Sequence, residues 1–131
     1  MIVVDASALL ELLMGTEAGE RVAARISDPV VALHAPHLID LEVVQVLRRF
    51  VRDGDLARTS ADVMLDALHG LDLERHGHEP LLDRIWSLRA NMTAYDASYV
   101  ALAEALGARL LTCDARLARA PGSRIAIDLL A

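Results

Sequence analysis

The chain contains no lysine and a single cysteine, and its longest apolar runs are short. Each scarcity excludes something. One cysteine, Cys113, cannot close an internal disulfide and has no partners at zinc-ligand spacing. Its expected role is that of a small buried hydrophobe in a strand. Runs such as Val30 to Leu33 and Tyr99 to Ala103 fall far below the ~20 residues that cross a bilayer. Met1 leads directly into a strand-like run with neither a basic segment nor a small-residue cleavage pattern, so a cytoplasmic address is expected. No repeat, low-complexity stretch or linker interrupts the 131 residues, a length that suits a single domain spanning 1–131.

Apolar residues make up 54% of the chain and the mean hydropathy is +0.34. A monomer of this size has little interior in which to hide that surface, which favours self-association or a partner face. The net charge of −6 argues against nucleic acid at first sight, since affinity there rests on cations meeting phosphates. All 13 basic residues are arginine, however, and arginine grips phosphate bidentately. Several stand close together, at Arg48, Arg49 and Arg52 and at Arg84 and Arg89. Carboxylates engaged with divalent ions would also leave the surface less negative than the formal count.

Hydrophobic periodicity and punctuation predict an alternation of strands and helices. Ile2 to Val4 reads as a strand and Ala8 to Met14 as a helix. Glu17 to Ile26 is a second helix, closed by Asp28-Pro29, and Val30 to Leu33 returns to strand character. The longest helix is predicted over Leu38 to Arg52, stopping at Asp53-Gly54-Asp55. Thr59 or Ser60 is expected to cap a helix to His69, followed by a strand at Leu71 to Glu74 and a helix from Pro80 to Arg89. Thr93 is the expected N-cap of Ala94 to Leu106, with Gly107 as its left-handed exit. Arg109 to Thr112 and Ile125 to Ile127 complete the strands. The fold class is therefore α/β, a mostly parallel sheet with helices on both faces.

Ligands of such a sheet bind beyond the carboxyl ends of its strands. Asp5 and Asp114 stand there, although an Asp in that place is also a good helix N-cap. On the Leu38 to Arg52 helix, Ile39, Val43, Val46, Leu47 and Phe50 form an apolar stripe flanked at similar angles by Glu42 and by Asp40; geometry alone does not choose between them. On the Ala94 to Leu106 helix, Tyr95, Tyr99, Leu102, Ala103 and Leu106 form the stripe and Asp96 flanks it, where a first-turn acid also suits the helix dipole. Oxygen-only ligands suit hard cations, so a carboxylate cluster points to Mg²⁺ or Mn²⁺. Such an ion activates water and neutralises charge developing on a phosphodiester.

Four segments resemble those of PIN-domain ribonucleases, specifically the VapC toxins of bacterial VapBC toxin-antitoxin pairs. They are Val3 to Ala8, Pro36 to Arg49, Leu88 to Gly107 and Leu110 to Asp114. The resemblance selects Glu42 over Asp40. It implies a PIN-like fold and metal ligation by Asp5, Glu42, Asp96 and Asp114, with Ser7 and Thr112 as supporting hydroxyls. It further implies cleavage of structured RNA, dimerisation, and inhibition by a cognate VapB antitoxin. Arg84 and Arg89, just ahead of the Asp96 helix, are candidate RNA contacts, with a salt-bridged helix face as the alternative. His76 and His78 are expected in loops, and Trp86 in the core. A receiver-type phosphoacceptor would want a lysine near its last strand. An RNA-maturation nuclease and a non-catalytic module on the same fold are the other competing readings.

Overall fold

A computed structural model describes residues 1–131. The strands are β1 (Ile2–Val4), β2 (Leu33–Pro36), β3 (Leu73–His76), β4 (Arg109–Thr112) and β5 (Ile127–Leu129). All pair in parallel, in the order β3-β2-β1-β4-β5. The helices are α1 (Ala6–Met14), α2 (Glu17–Ile26), α3 (Leu38–Arg52), α4 (Arg58–Gly70), α5 (Leu82–Ser87), α6 (Ala94–Leu106) and α7 (Ala115–Arg119), with a 3-10 turn at Glu79–Leu81 ahead of α5. Right-handed crossovers put α1 to α4 on one face, where the chain steps outward from β1 to β3, and α5 to α7 on the other, where it steps from β3 to β4 and β5. The α/β expectation, a parallel sheet covered on both sides, is met.

β1 lies at the centre of the sheet and all three of its residues are buried, as a β-branched run covered on both faces should be. Around it packs a core that includes Leu9, Val22, Ile39, Val43, Leu110 and Leu111, each essentially inaccessible to water. Full burial of one such side chain contributes about 1.5–3 kcal/mol, and truncating Leu110 to Ala should cost about 2–5 kcal/mol. Helix α6 is buried continuously from Ala97 to Ala103. Thr93 caps it by accepting the Asp96 N–H, and Gly107 ends it at φ +62°, both as expected. α1 and α2 approach so closely at Gly19 that a Cβ there would lie 2.1 Å from the Glu11 carbonyl oxygen.

Several boundaries differ from expectation. The β2 strand is Leu33–Pro36, and Val30, the first residue of the predicted run, is 87% exposed. β3 and β5 likewise begin two residues later than expected. Neither Thr59 nor Ser60 caps α4, whose N-cap is Ala57 without a side-chain bond. Cys113 lies one residue past β4, partly buried, with its thiol pushed up to about 11 by burial and by the Asp5 and Glu11 charges. His76 is the last residue of β3 and not a loop residue. Trp86 is 68% exposed and outside the core, and the helix predicted over Pro80 to Arg89 is a single 3-10 turn followed by α5, which ends at Ser87. Tyr95, expected in the α6 stripe, is 62% exposed. No helix is long and apolar enough to cross a membrane.

Candidate active site

The strand order reverses between β1 and β4, so the crevice at their carboxyl ends opens where α1 and α7 depart in different directions. Asp5 directly follows β1, and Asp114 stands two residues past the end of β4. Both serve as N-caps: Asp5 Oδ1 accepts the Ala8 N–H at 2.9 Å, and Asp114 Oδ1 accepts the Arg116 N–H at 2.9 Å. Capping does not exhaust either group.

Asp5 is 4% exposed. Ser7 Oγ donates to its Oδ1 at 2.7 Å and Thr112 Oγ1 to its Oδ2 at 2.5 Å. With the cap, that is three donors for about four lone-pair sites, which leaves one on Oδ2. The two hydroxyls also accept, Ser7 from the Cys113 N–H and Thr112 from the Asp114 N–H, both at 2.9 Å. Each hydroxyl proton is thereby committed to Asp5, and the exit of β1 is tied to the exit of β4. Burial nevertheless pushes the Asp5 carboxyl up to about 6; the Thr112, Ala8 and Ser7 hydrogen bonds offset part of this and the Asp114 charge adds to it.

Glu42 is half-buried on α3, and its Oε1 accepts the Tyr99 hydroxyl at 2.6 Å. Burial raises its pKa, Tyr99 lowers it, and the charge of Asp96 raises it. Asp96, in the first turn of α6, is also raised, by burial first, with Arg116 opposing and Asp114 adding. The Tyr99 phenol is held well above its usual range by burial and by Glu42, Asp5 and Asp96, so it acts as a neutral donor. Asp40, the other acid flanking the α3 stripe, is instead spent on Arg75 of β3, whose guanidinium reaches both carboxylate oxygens at 2.7 and 2.9 Å.

The four acids therefore form a connected chain of charge, Asp5 to Asp114 to Asp96 to Glu42, at one end of the sheet. They are not a tight knot: no three bring ligand atoms within 4.8 Å of one another, a spacing met by His34, Glu74 and His76 elsewhere in the sheet. An all-oxygen set with room between its members fits a hard divalent ion that keeps part of its water shell. Without such an ion the acids repel one another, and the only cation among them is Arg116, 3.7 Å from Asp96 Oδ2 and 3.4 Å from Asp114 Oδ2. Its side chain is 77% exposed, so these contacts are weak and replaceable.

An open groove of about 480 Å³ runs beside Ser7 and Glu42, walled by Leu10, Leu41 and Tyr95. A second hollow of about 450 Å³ lies between Arg49 of α3 and Ser7, Cys113 and Asp114. Arg49 thus brings one of the clustered α3 arginines to the acids. Of the two arginines expected to meet RNA, Arg84 is committed to Glu104 at 2.7 and 3.0 Å and to the Gly122 carbonyl at 2.8 Å, fixing α5 to α6. Arg89 is exposed and stacks 4.5 Å over the Trp86 ring. Sequence reasoning missed Arg116, whose signal was its place two residues after a candidate ligand, and saw Tyr99 only as core.

The PIN domain family matches residues 2–123 of the chain. Ribonuclease VapC1 of Mycobacterium tuberculosis is 44% identical over 129 residues, 98% of this chain and 96% of that protein. Among solved structures, PAE2754 from Pyrobaculum aerophilum superposes with a TM-score of 0.71 at 25% identity, covering 98% of this chain and 83% of the other. DNA-bound VapBC from Salmonella typhimurium superposes with a TM-score of 0.65 at 15% identity, covering 99% and 98%, a likeness of fold.

Proposed function

The chain belongs to the PIN-domain family, among its VapC proteins, and on that premise we propose that it is a metal-dependent endoribonuclease, the toxin of a VapBC pair. One observation carries the reading: Asp5, almost wholly buried and held by three donors, has its carboxyl pushed up to about 6 in a site it shares with three further acids. A fold does not gather such groups for stability, since their repulsion is unfavourable in the absence of a cation. Perturbed acids in an open crevice point to chemistry.

Asp5, Glu42, Asp96 and Asp114 would hold Mg²⁺ or Mn²⁺, which when bound supplies an activated water and neutralises charge developing on the phosphodiester. The protein's own groups prepare this. Ser7 and Thr112 fix Asp5 from both sides, leaving one oxygen lone pair for ligation. Tyr99 takes Oε1 of Glu42 and leaves Oε2 free. Arg116 shields Asp96 and Asp114 and, being exposed, is free to turn to an RNA phosphate; Arg49 borders the same crevice. Arg89 beside Trp86 is a more available RNA contact than Arg84.

The groove at Glu42 is bordered by Leu41, 70% exposed, and Tyr95, with Val44 on the same helix also exposed. This surface supports partners: a second copy of the chain, and an antitoxin segment carrying an arginine into the acids in place of the cation. Structured RNA is the proposed substrate, and the whole of 1–131 the catalytic unit in the cytoplasm. The test is expression of the natural chain and of Asp96→Asn, with sequencing of RNA ends. New ends with the natural chain and none with the variant, relieved by the co-expressed antitoxin, are expected; ends unchanged between the two would overturn the proposal.

A further inference from the structure

A second polar cluster lies on the other half of the sheet. In the parallel register of β2 and β3, His34 stands opposite Glu74, and His76 follows two residues later, so the three side chains leave the same face. His34 is buried at 5% exposure, whereas Glu74 and His76 belong to the edge strand, the Glu74 side chain being 67% exposed. His34 Nδ1 and His76 Nε2 are 2.8 Å apart, and Glu74 Oε2 is 3.5 Å from the same Nδ1. One ligand atom from each residue falls within 4.8 Å of the other two.

A hydrogen bond between the imidazoles uses a single proton and leaves the rest of the cluster poorly served. Whichever ring carries that proton, the buried Nε2 of His34 has no partner, and it is Nδ1 that faces His76 and Glu74. If the proton sits on His76, the Glu74 carboxylate faces the lone pair of Nδ1. We propose that His34, Glu74 and His76 together bind one borderline divalent transition ion of the Zn²⁺ class. Such an ion takes the place of the shared proton and uses all three donors at once. Two imidazoles and a carboxylate suit Zn²⁺, Co²⁺ or Ni²⁺ and not Mg²⁺. Nitrogens on one tetrahedral zinc stand about 3.3 Å apart, so the ring pair needs to open by about half an ångström. His76 and Glu74, on the edge strand and partly exposed, have the freedom to do so. The ion would clamp β3 to β2 where the His76 carbonyl accepts the His37 N–H at 2.9 Å, immediately before α3. The site shares no residue with the carboxylate group, and the inference does not depend on the proposed activity.

The test uses the full chain stripped with EDTA and dialysed at neutral pH. ZnCl₂ is followed by calorimetry and CoCl₂ by visible absorption. With excess MgCl₂ present to occupy the carboxylates, saturable binding of a single equivalent is expected, with the absorption of tetrahedral Co²⁺. His76→Ala should lose both signals, and Glu74→Gln should weaken Zn²⁺ by at least the ~10-fold that loss of an outer-sphere partner costs. Absence of saturable Zn²⁺ binding by the natural chain, or undiminished binding by Glu74→Gln, overturns the proposal. Because Glu74 is exposed, its variant decides the matter even if His76→Ala fails to fold.

Discussion

The carboxylates at the ends of β1 and β4 and the imidazoles between β2 and β3 sit on one sheet but arise differently. Asp5 and Asp114 stand where the chain leaves a strand, a position set by the strand itself; their neighbours Ser7 and Thr112 then lock them in place. His34 and His76 lie within strands, and they meet only because Leu33 pairs with Leu73 and so aligns everything that follows. The first group depends on where elements end, the second on their register. Any parallel sheet with a central reversal gathers strand-end residues at one crevice, whereas a one-residue slip would send the imidazoles to opposite faces.

The largest expected effect falls on the carboxylate side. Asp96→Asn, at neutral pH with Mg²⁺, should reduce RNA cleavage at least ~100-fold while circular dichroism stays unchanged, because charge stabilisation in the transition state is lost and the Thr93 cap is not. A variant that cleaves normally would remove Asp96 from the site and break the contrast with the histidine cluster.

Thr112→Val comes next. It deletes a buried donor to Asp5 and the acceptor of the part-buried Asp114 N–H, and should cost about 1–3 kcal/mol in a denaturant melt. With that donor gone, the acid limb of cleavage against pH should move upward. The same substitution leaves Zn²⁺ binding at His34 untouched if the two clusters are independent.

Asp5 also has a pH signature of its own. Its folded pKa of about 6 exceeds the ordinary value of 3.8, so the folded state binds more protons between the two. Metal-free stability contributed by this group is therefore greatest below about pH 4 and declines as pH rises through 6, by about 2–3 kcal/mol in all. Denaturation in EDTA at pH 5 and pH 7 measures it, and Asp5→Asn should flatten the difference.

Smaller still is the effect of Arg116→Ala. Removing the cation paired with Asp96 and Asp114 should tighten Mn²⁺ binding a few-fold, since an exposed ion pair is weak and the ion no longer competes with it. Weaker Mn²⁺ binding would mean that the arginine organises the acids.

How much of this was legible in the sequence follows the same division. Helices α2, α3 and α6 and strand β4 were bounded correctly because punctuation marks them: Thr93 and Gly107 on α6, Asp53-Gly54 after α3. Strand β2 was not, because the Val30 to Ala32 run has strand composition but finds no partner strand, and pairing with β1 and β3 selects Leu33 to Pro36. The positions of Asp5 and Asp114 could be read from strand ends. The choice of Glu42 over Asp40 could not be read from helical angles; it came from family resemblance, and the structure adds that Arg75 claims Asp40. Nothing local signalled Trp86 outside the core or Arg116 between two acids, since both depend on how the short helices α5 and α7 are placed against the rest of the chain.

The central claim, that the four acids form a divalent-metal site, is tested most directly by thermal melts of the natural chain and Asp96→Asn in EDTA and in Mg²⁺, an ion that imidazole sites bind poorly. Mg²⁺ at about 100 times its Kd should add about 2.7 kcal/mol, or on the order of 10 °C, to the natural chain. Asp96→Asn should gain much less and, in EDTA, melt slightly higher than the natural chain because one repelling charge is gone. Equal Mg²⁺ shifts in both proteins, with the variant melting lower in EDTA, would contradict the account and leave the acids as ordinary caps.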